Sequence, residues 1–195
     1  MRIIGGRLSG RRFGAPSGRD TRPTSERVRE AVASALQSRG GFDDAHVLDL
    51  FAGTGAFSFE ALSRGASNAI ALDGDTRAIR LIVRSAKELG LHKNLRALRV
   101  DLLGDPASAI SKIPGTEEGF SLVFADAPYA EIDSVPRLLA ALIAAGRLTP
   151  GALIVVEHPA IHDWTWPNGL ASDGDYRYGQ TGISLGVYAP EKGRQ

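Results

Sequence analysis

Short, nearly unbroken apolar runs recur along the chain, and segments with helical spacing fill the intervals between them. HVLDLF (46–51), NAIALD (68–73), LRALRV (95–100), FSLVFA (120–125) and ALIVVE (152–157) read as strands. Strands this continuously apolar belong in a parallel sheet covered on both faces. Between them AFSFEALSRG (56–65), TRAIRLIVRSAKELG (76–90), DPASAISKI (105–113) and a segment near 133–146 read as helices. Ahead of the series, RDTRPTSERVREAVASALQSRGG predicts a further helix. Thr24 or Ser25 serves as its N-cap, Val28, Val32, Ala35 and Leu36 share one face, and Gly40–Gly41 ends it.

The two ends differ. YRYGQTGISLGVY (176–188) holds two extended pieces about a Gly-Gln-Thr-Gly turn, a hairpin for the edge of the sheet. RIIGGRLSGRRFGAP predicts a short β-hairpin at the N-terminus. The expected class is therefore α/β, with a mostly parallel seven-stranded sheet, an antiparallel edge hairpin and a short N-terminal β-hairpin arm. The expected division is an arm over residues 1–22 and one α/β domain over 23–195.

Composition adds few constraints. Hydrophobic residues at 43% and charged residues at 23% are ordinary for a globular domain. No cysteine is present, which excludes disulfides and thiolate metal sites, and the four histidines lack metal-ligand spacing, so no metal is expected. MRIIGGRLSG lacks the apolar core of a signal peptide, and the longest apolar run, LLAALIAA, is too short to span a bilayer. A soluble cytoplasmic protein is expected. Trp164 and Trp166 lie in a Pro/Gly/Asp-rich segment and read as packing under a loop, with base stacking as the alternative.

Charge changes the picture. Of the net +1, residues 1–30 hold +5, from eight arginines against three acids, and the rest holds −4. Basic charge gathered in one terminal segment is the pattern of a phosphate-contacting arm. Arg2, Arg7, Arg11 and Arg12 are the candidates for an RNA backbone.

The most informative stretch is VLDLFAGTGAFSFEAL, in which a strand runs through Gly53-Thr54-Gly55 directly into a helix. Such a turn lets backbone approach a ligand at the carboxyl ends of the strands. Ser58 stands where a dinucleotide fingerprint wants a third glycine. Asp49, just before the loop, would repel a pyrophosphate but can accept from an ammonium group. Asp73, ending the second strand, is placed to accept from two ribose hydroxyls. The ligand so described carries a ribose and an amine and no phosphate at the loop. S-adenosylmethionine fits it; NAD does not. Asp101, ending the third strand, reads either as an acceptor for the adenine amino group or as a helix N-cap.

VFADAPYA (123–130) ends the fourth strand on an acid, an alanine, a proline and a tyrosine. Together with LDLFAGTGAFSFEALSRGA it resembles the amino-group methyltransferases, whose motif there is Asp/Asn-Pro-Pro-Tyr/Phe. RIIGGRLSGRRF and TRPTSERVREAV resemble the RsmD family of 16S rRNA guanine-N2 methyltransferases more specifically. That resemblance implies a Rossmann-like class I methyltransferase that moves a methyl group from S-adenosylmethionine to the exocyclic N2 amine of one guanine in 16S rRNA. By the same resemblance Asp49, Phe51, Gly53 and Gly55 form the cofactor loop, Asp73 holds the ribose, and Asp101 with Leu102 flanks the adenine.

The motif maps onto Asp126, Ala127, Pro128 and Tyr129, with alanine in place of the family's first proline. Asp126 and the Ala127 carbonyl would accept the amine hydrogens while Tyr129 stacks on the base. Arg22, Thr24 and Arg27 match the family's Arg-Pro-Thr region and face either RNA phosphates or the methionine carboxylate. The expected partner is 16S rRNA, free or within the 30S subunit, and the expected state is a monomer. Two other readings compete: methylation of another amine, such as adenine N6 or a protein glutamine, and a non-catalytic RNA-binding module.

Overall fold

The apolar runs are strands, and all but the third bury most of their side chains. The structure, a computed structural model, describes residues 1–15, 26–115 and 118–190. The chain divides into two compact units, Met1–Val100 and Asp101–Gln195.

In the first unit β1 (His46–Leu50), β2 (Asn68–Asp73) and β3 (Leu95–Arg99) pair in parallel in the order β3-β2-β1. Leu48 lies opposite Ile70, and Ala71 opposite Ala97. Val47, Leu48, Leu50 and Leu72 are wholly buried. Each such side chain contributes roughly 1.5–3 kcal/mol of hydrophobic stabilisation. Helix α1 (Glu26–Gln37) buries Val28, Val32 and Leu36 of the expected face, but Arg29 and Ala33 are buried with them and Ala35 is only half-buried. Its expected caps, Thr24 and Ser25, lie outside the described residues. Helix α2 (Ala56–Arg64) packs on β1 and β2, and α3 (Thr76–Glu88) on β2 and β3. Asp75 caps α3 by accepting from the Arg77 N–H.

Helix α2 is buried on every side, including its polar residues Ser58, Glu60 and Ser63. The N-terminal segment covers the side that carries Glu60 and Ser63. Ile3 and Phe13 are buried anchors, and the Phe13 ring lies 5.0 Å from that of Phe59 on α2. The Ile4 and Gly5 N–H groups donate to Glu60 at 2.9 and 2.8 Å, and Ser63 Oγ both accepts from the Leu8 N–H and donates to the Gly5 carbonyl. Gly6, in a short 3-10 turn over Gly6–Leu8, holds φ at 74°, and a side chain there would fall on the Ser63 carbonyl. The expected hairpin exists in reduced form. One antiparallel bridge joins Arg2 to Arg12, with Ile3 donating to the Arg11 carbonyl at 2.9 Å.

In the second unit β4 (Phe120–Ala125) pairs in parallel with β5 (Leu148–Pro159), and β7 (Thr181–Tyr188) lies antiparallel between β5 and β6 (Leu170–Tyr178). Helices α4 (Pro106–Ser111) and α5 (Ser134–Ala144) pack against each other. The hairpin turns where it is expected, at Gly179–Gln180, but β6 begins at Leu170 and not near Tyr176. Its first residues are exposed, and its register slips between Ser172 and Gly174, so no apolar alternation marks it. The seven strands, the parallel pairings and the antiparallel final hairpin are the expected class. Among the described residues no helix is long and apolar enough to cross a membrane.

Candidate active site

The chain leaves β1 through three left-handed residues: Phe51 at φ 60°, Gly53 at 54° and Gly55 at 77°. Gly55 is required twice over, because a side chain on it would also press within 3.1 Å of both Ile82 and Phe59. Two carboxylates hold the loop. Asp73, at the end of β2, accepts from the Gly53 N–H through Oδ2 and from the Asp75 N–H through Oδ1, both at 2.8 Å. Asp49 is 1% exposed, and its Oδ2 accepts from the Ser58 N–H at 3.1 Å and from Ser58 Oγ at 2.6 Å. A strand residue thereby satisfies a first-turn N–H of α2, whose own cap position, Gly55, offers no side chain.

Ser58, read from sequence only as a missing glycine, therefore anchors Asp49. Only the folded geometry brings the two together. Ser58→Ala removes a hydrogen bond from a buried carboxylate and lowers stability by about 1–3 kcal/mol, read as a shift in the urea midpoint.

The donor set suits the ligand inferred from sequence. Each oxygen of Asp73 accepts one backbone N–H and retains capacity for a ribose hydroxyl. A side chain at Gly53 would meet only the Phe51 carbonyl, at 4.0 Å, so the backbone is open to a ligand there.

In the second unit Asp101 is exposed, and its Oδ1 accepts from the Leu103 N–H at 3.1 Å. This is a turn two residues long and not a helix cap, since α4 starts at Pro106 under its own cap, Asp105. Leu102 is buried. The fourth-strand motif follows Ala125 directly. Asp126 is half-buried, Ala127 is buried and Pro128 is exposed. A 3-10 turn over Tyr129–Glu131 closes on the Pro128 carbonyl, which accepts from the Glu131 N–H at 2.7 Å. Tyr129 keeps 38% of its surface exposed, while its hydroxyl lies 3.3 Å from Thr181 Oγ1 on β7. The turn thus presents an aromatic ring whose far end is tethered.

The basic residues fall into two groups. Arg2 makes a three-bond fork with Glu26, at 2.7–3.1 Å, and Arg11 donates to the Glu88 carbonyl at 3.3 Å. The pairing raises the Arg2 pKa and lowers that of Glu26. Arg7, Arg12 and Arg27 are exposed, and their guanidinium groups pair with no described residue. Arg22 and Thr24 lie outside the described residues.

A family model described as conserved hypothetical protein 95 matches residues 1–187. The chain belongs to this family, the RsmD family. An RsmD-family relative, "Putative rRNA methyltransferase YlbH" of Bacillus subtilis, is 33% identical over 186 residues, 95% of this chain and 97% of that protein. "Ribosomal RNA small subunit methyltransferase D" of Escherichia coli K12 is 32% identical over 157 residues, 80% of this chain and 74% of that protein. Among solved structures, "Putative methyltransferase yhhF from Escherichia coli" superposes with a TM-score of 0.82 at 28% identity, covering 97% of this chain and 98% of that one. RsmD-family membership thus rests on a match that includes the N-terminal segment as well as the glycine loop and the strand-end motif.

Proposed function

We propose that this RsmD-family chain is an S-adenosylmethionine-dependent methyltransferase acting on the exocyclic N2 amine of a guanine in 16S rRNA. The observation that carries the reading is the end of β4, where an acid, a buried alanine and a proline deliver an exposed, tethered tyrosine ring. The bound cofactor supplies a methyl group made electrophilic by a sulfonium. Asp73 holds the ribose. Phe51, Gly53 and Gly55 shape the backbone around the cofactor, and Asp49 fixes that shape through Ser58 while placing negative charge near the cofactor ammonium. Asp101 and Leu102 flank the adenine.

A guanine N2 lone pair is delocalised into the ring, so the amine is a poor nucleophile. Asp126 and the Ala127 carbonyl each accept one of its hydrogens, which turns the lone pair out of conjugation. Tyr129 stacks on the extruded base and fixes its plane. So held, N2 would be oriented to take up the methyl group that the cofactor supplies, and Asp126 would receive the N2 proton that is lost. Positioning is the main contribution.

The proposal is tested with labelled S-adenosylmethionine and unmodified 16S rRNA, offered free and in 30S particles. Label recovered as N2-methylguanosine at one site is the expected result; label in adenine or in protein, or none, overturns it. Proline at position 127 keeps the carbonyl and stiffens the loop, so Ala127→Pro leaves kcat equal or raises it, and a collapse of turnover would refute the carbonyl's assigned role.

Residues 1–22 are proposed as the RNA-contacting part of the chain. Arg7 and Arg12, unpaired among the described residues, carry most of that role, while Arg2 and Arg11 are partly spent on Glu26 and Glu88. Arg27, Arg22 and Thr24 extend the surface. The double replacement Arg7→Gln, Arg12→Gln weakens RNA binding and flattens the slope of log K against log salt by about 1.5. An unchanged slope would remove both residues from the interface.

A further inference from the structure

The last three strands carry a second site that the reaction does not use. Around β5, β7 and the segment between β5 and β6 lies an open cavity of about 350 Å³, within the roughly 300–1,000 Å³ range of small-molecule sites. Its wall is aromatic and firmly seated. The buried His158 ring lies against Gly182, where any side chain would overlap it, and contacts the Pro159 carbonyl at 2.9 Å and Ser184 Oγ at 3.0 Å. Ser184 in turn donates to Asp175 at 2.6 Å. Burial lowers the His158 pKa from its ordinary value.

Trp164 stacks on His158 at 5.8 Å with planes 16° apart, and Trp166 meets Trp164 edge-on at 5.4 Å. Among the described residues the Trp164 Nε1–H is buried without a partner. The exposed Arg177 and Tyr176 also line the cavity. Thr181, which holds the Tyr129 hydroxyl, directly precedes Gly182 of the cavity wall.

The geometry points to a subsite for one unpaired nucleobase of the RNA substrate, next to the nucleotide stacked on Tyr129. The inference rests on the proposed function for the existence of that substrate. A flat heterocycle matches the stacked aromatic wall. Asp163 and Asp175, which also line the cavity, repel a phosphate inside it and leave the phosphate to the exposed Arg177. Of the two sequence readings of the tryptophans, base stacking is the one this wall favours, with Trp166 meeting Trp164 edge-on.

The test uses the full chain carrying Trp166→Phe, so that Trp164 is its sole indole. An unpaired oligoribonucleotide is expected to quench Trp164 emission saturably, and an abasic chain of equal length is not. Trp164→Leu is expected to weaken RNA binding by about 5- to 100-fold, the loss of one base stack, with cofactor Kd unchanged. Should either variant fail to fold, the unaltered chain gives the same comparison of the two oligonucleotides, and the exposed Arg177→Gln gives the binding loss. Equal quenching by the abasic chain, no quenching, or undiminished RNA affinity in the variants overturns the subsite. Methyl transfer is measured in the same samples. Transfer retained without base-dependent quenching refutes the subsite alone; quenching without transfer to any RNA refutes the proposed reaction and leaves the subsite standing.

Discussion

Asp126→Ala lowers kcat by about 100-fold or more while the Kd of the cofactor stays within twofold of its starting value. The magnitude is that of removing one preorganised polar group from the place where charge develops in a transition state, roughly 10²–10³ in rate. The direction follows from chemistry. Without Asp126 one N2 hydrogen has no acceptor, the amine relaxes back into conjugation with the ring, and its proton has no assigned base. Asp126→Asn separates these contributions, since the amide oxygen still accepts a hydrogen but carries no charge and takes no proton. Its loss is expected to be smaller than that of alanine. Asp126 is half-buried and has its own contacts within the protein, so thermal melts of both variants accompany the kinetics. A full rate in a folded Asp126→Ala protein would remove the strand-end motif from catalysis altogether.

The largest effect on stability is expected at Glu60. Its side chain is 2% exposed and accepts three hydrogen bonds, from the Ile4 and Gly5 N–H groups and from Arg64 Nε at 2.7 Å. Arg64 is itself nearly buried, and its next acid, Glu30, lies 3.5 Å away and half exposed. Glu60→Ala strands a buried guanidinium and two backbone donors together. Breaking a buried pair from one side costs about 3–5 kcal/mol, which appears as a lower urea midpoint at unchanged m. Glu60→Gln keeps the shape and one acceptor oxygen and loses less. If Glu60→Ala costs under about 1 kcal/mol, the N-terminal segment is not held to α2 by this carboxylate.

The elements that could be read from the chain are those whose own residues decide their state. NAIALD and FSLVFA are strands with the expected bounds, because continuous apolar side chains have no other use in so short a run. The opening of β6 escaped, because LASDGD is exposed at a sheet edge and broken by a register shift. In the site, residue types alone carried the glycine loop, Asp73 and the Asp126–Tyr129 motif. What could not be read is who holds them. Ser58 on Asp49, Glu60 on the Ile4 and Gly5 N–H groups, and Thr181 at the Tyr129 hydroxyl join residues 9 to 56 positions apart, and only folding selects those partners. The N-terminal arginines show the same limit. Charge counting treats Arg2 and Arg7 alike, whereas the fold commits Arg2 to Glu26 and leaves Arg7 to solvent.

Asp73 carries a warning for the way ligand affinities at this loop are interpreted. The carboxylate proposed to grip the ribose is also the clasp on Gly53 and the stop for Asp75. An Asp73→Ala protein that loses cofactor has lost a contact and a loop shape at once, and its affinity deficit reports their sum. Altering the ligand and sparing the protein separates the two. A cofactor analogue without the ribose hydroxyls, offered to the unaltered chain, measures the contact alone.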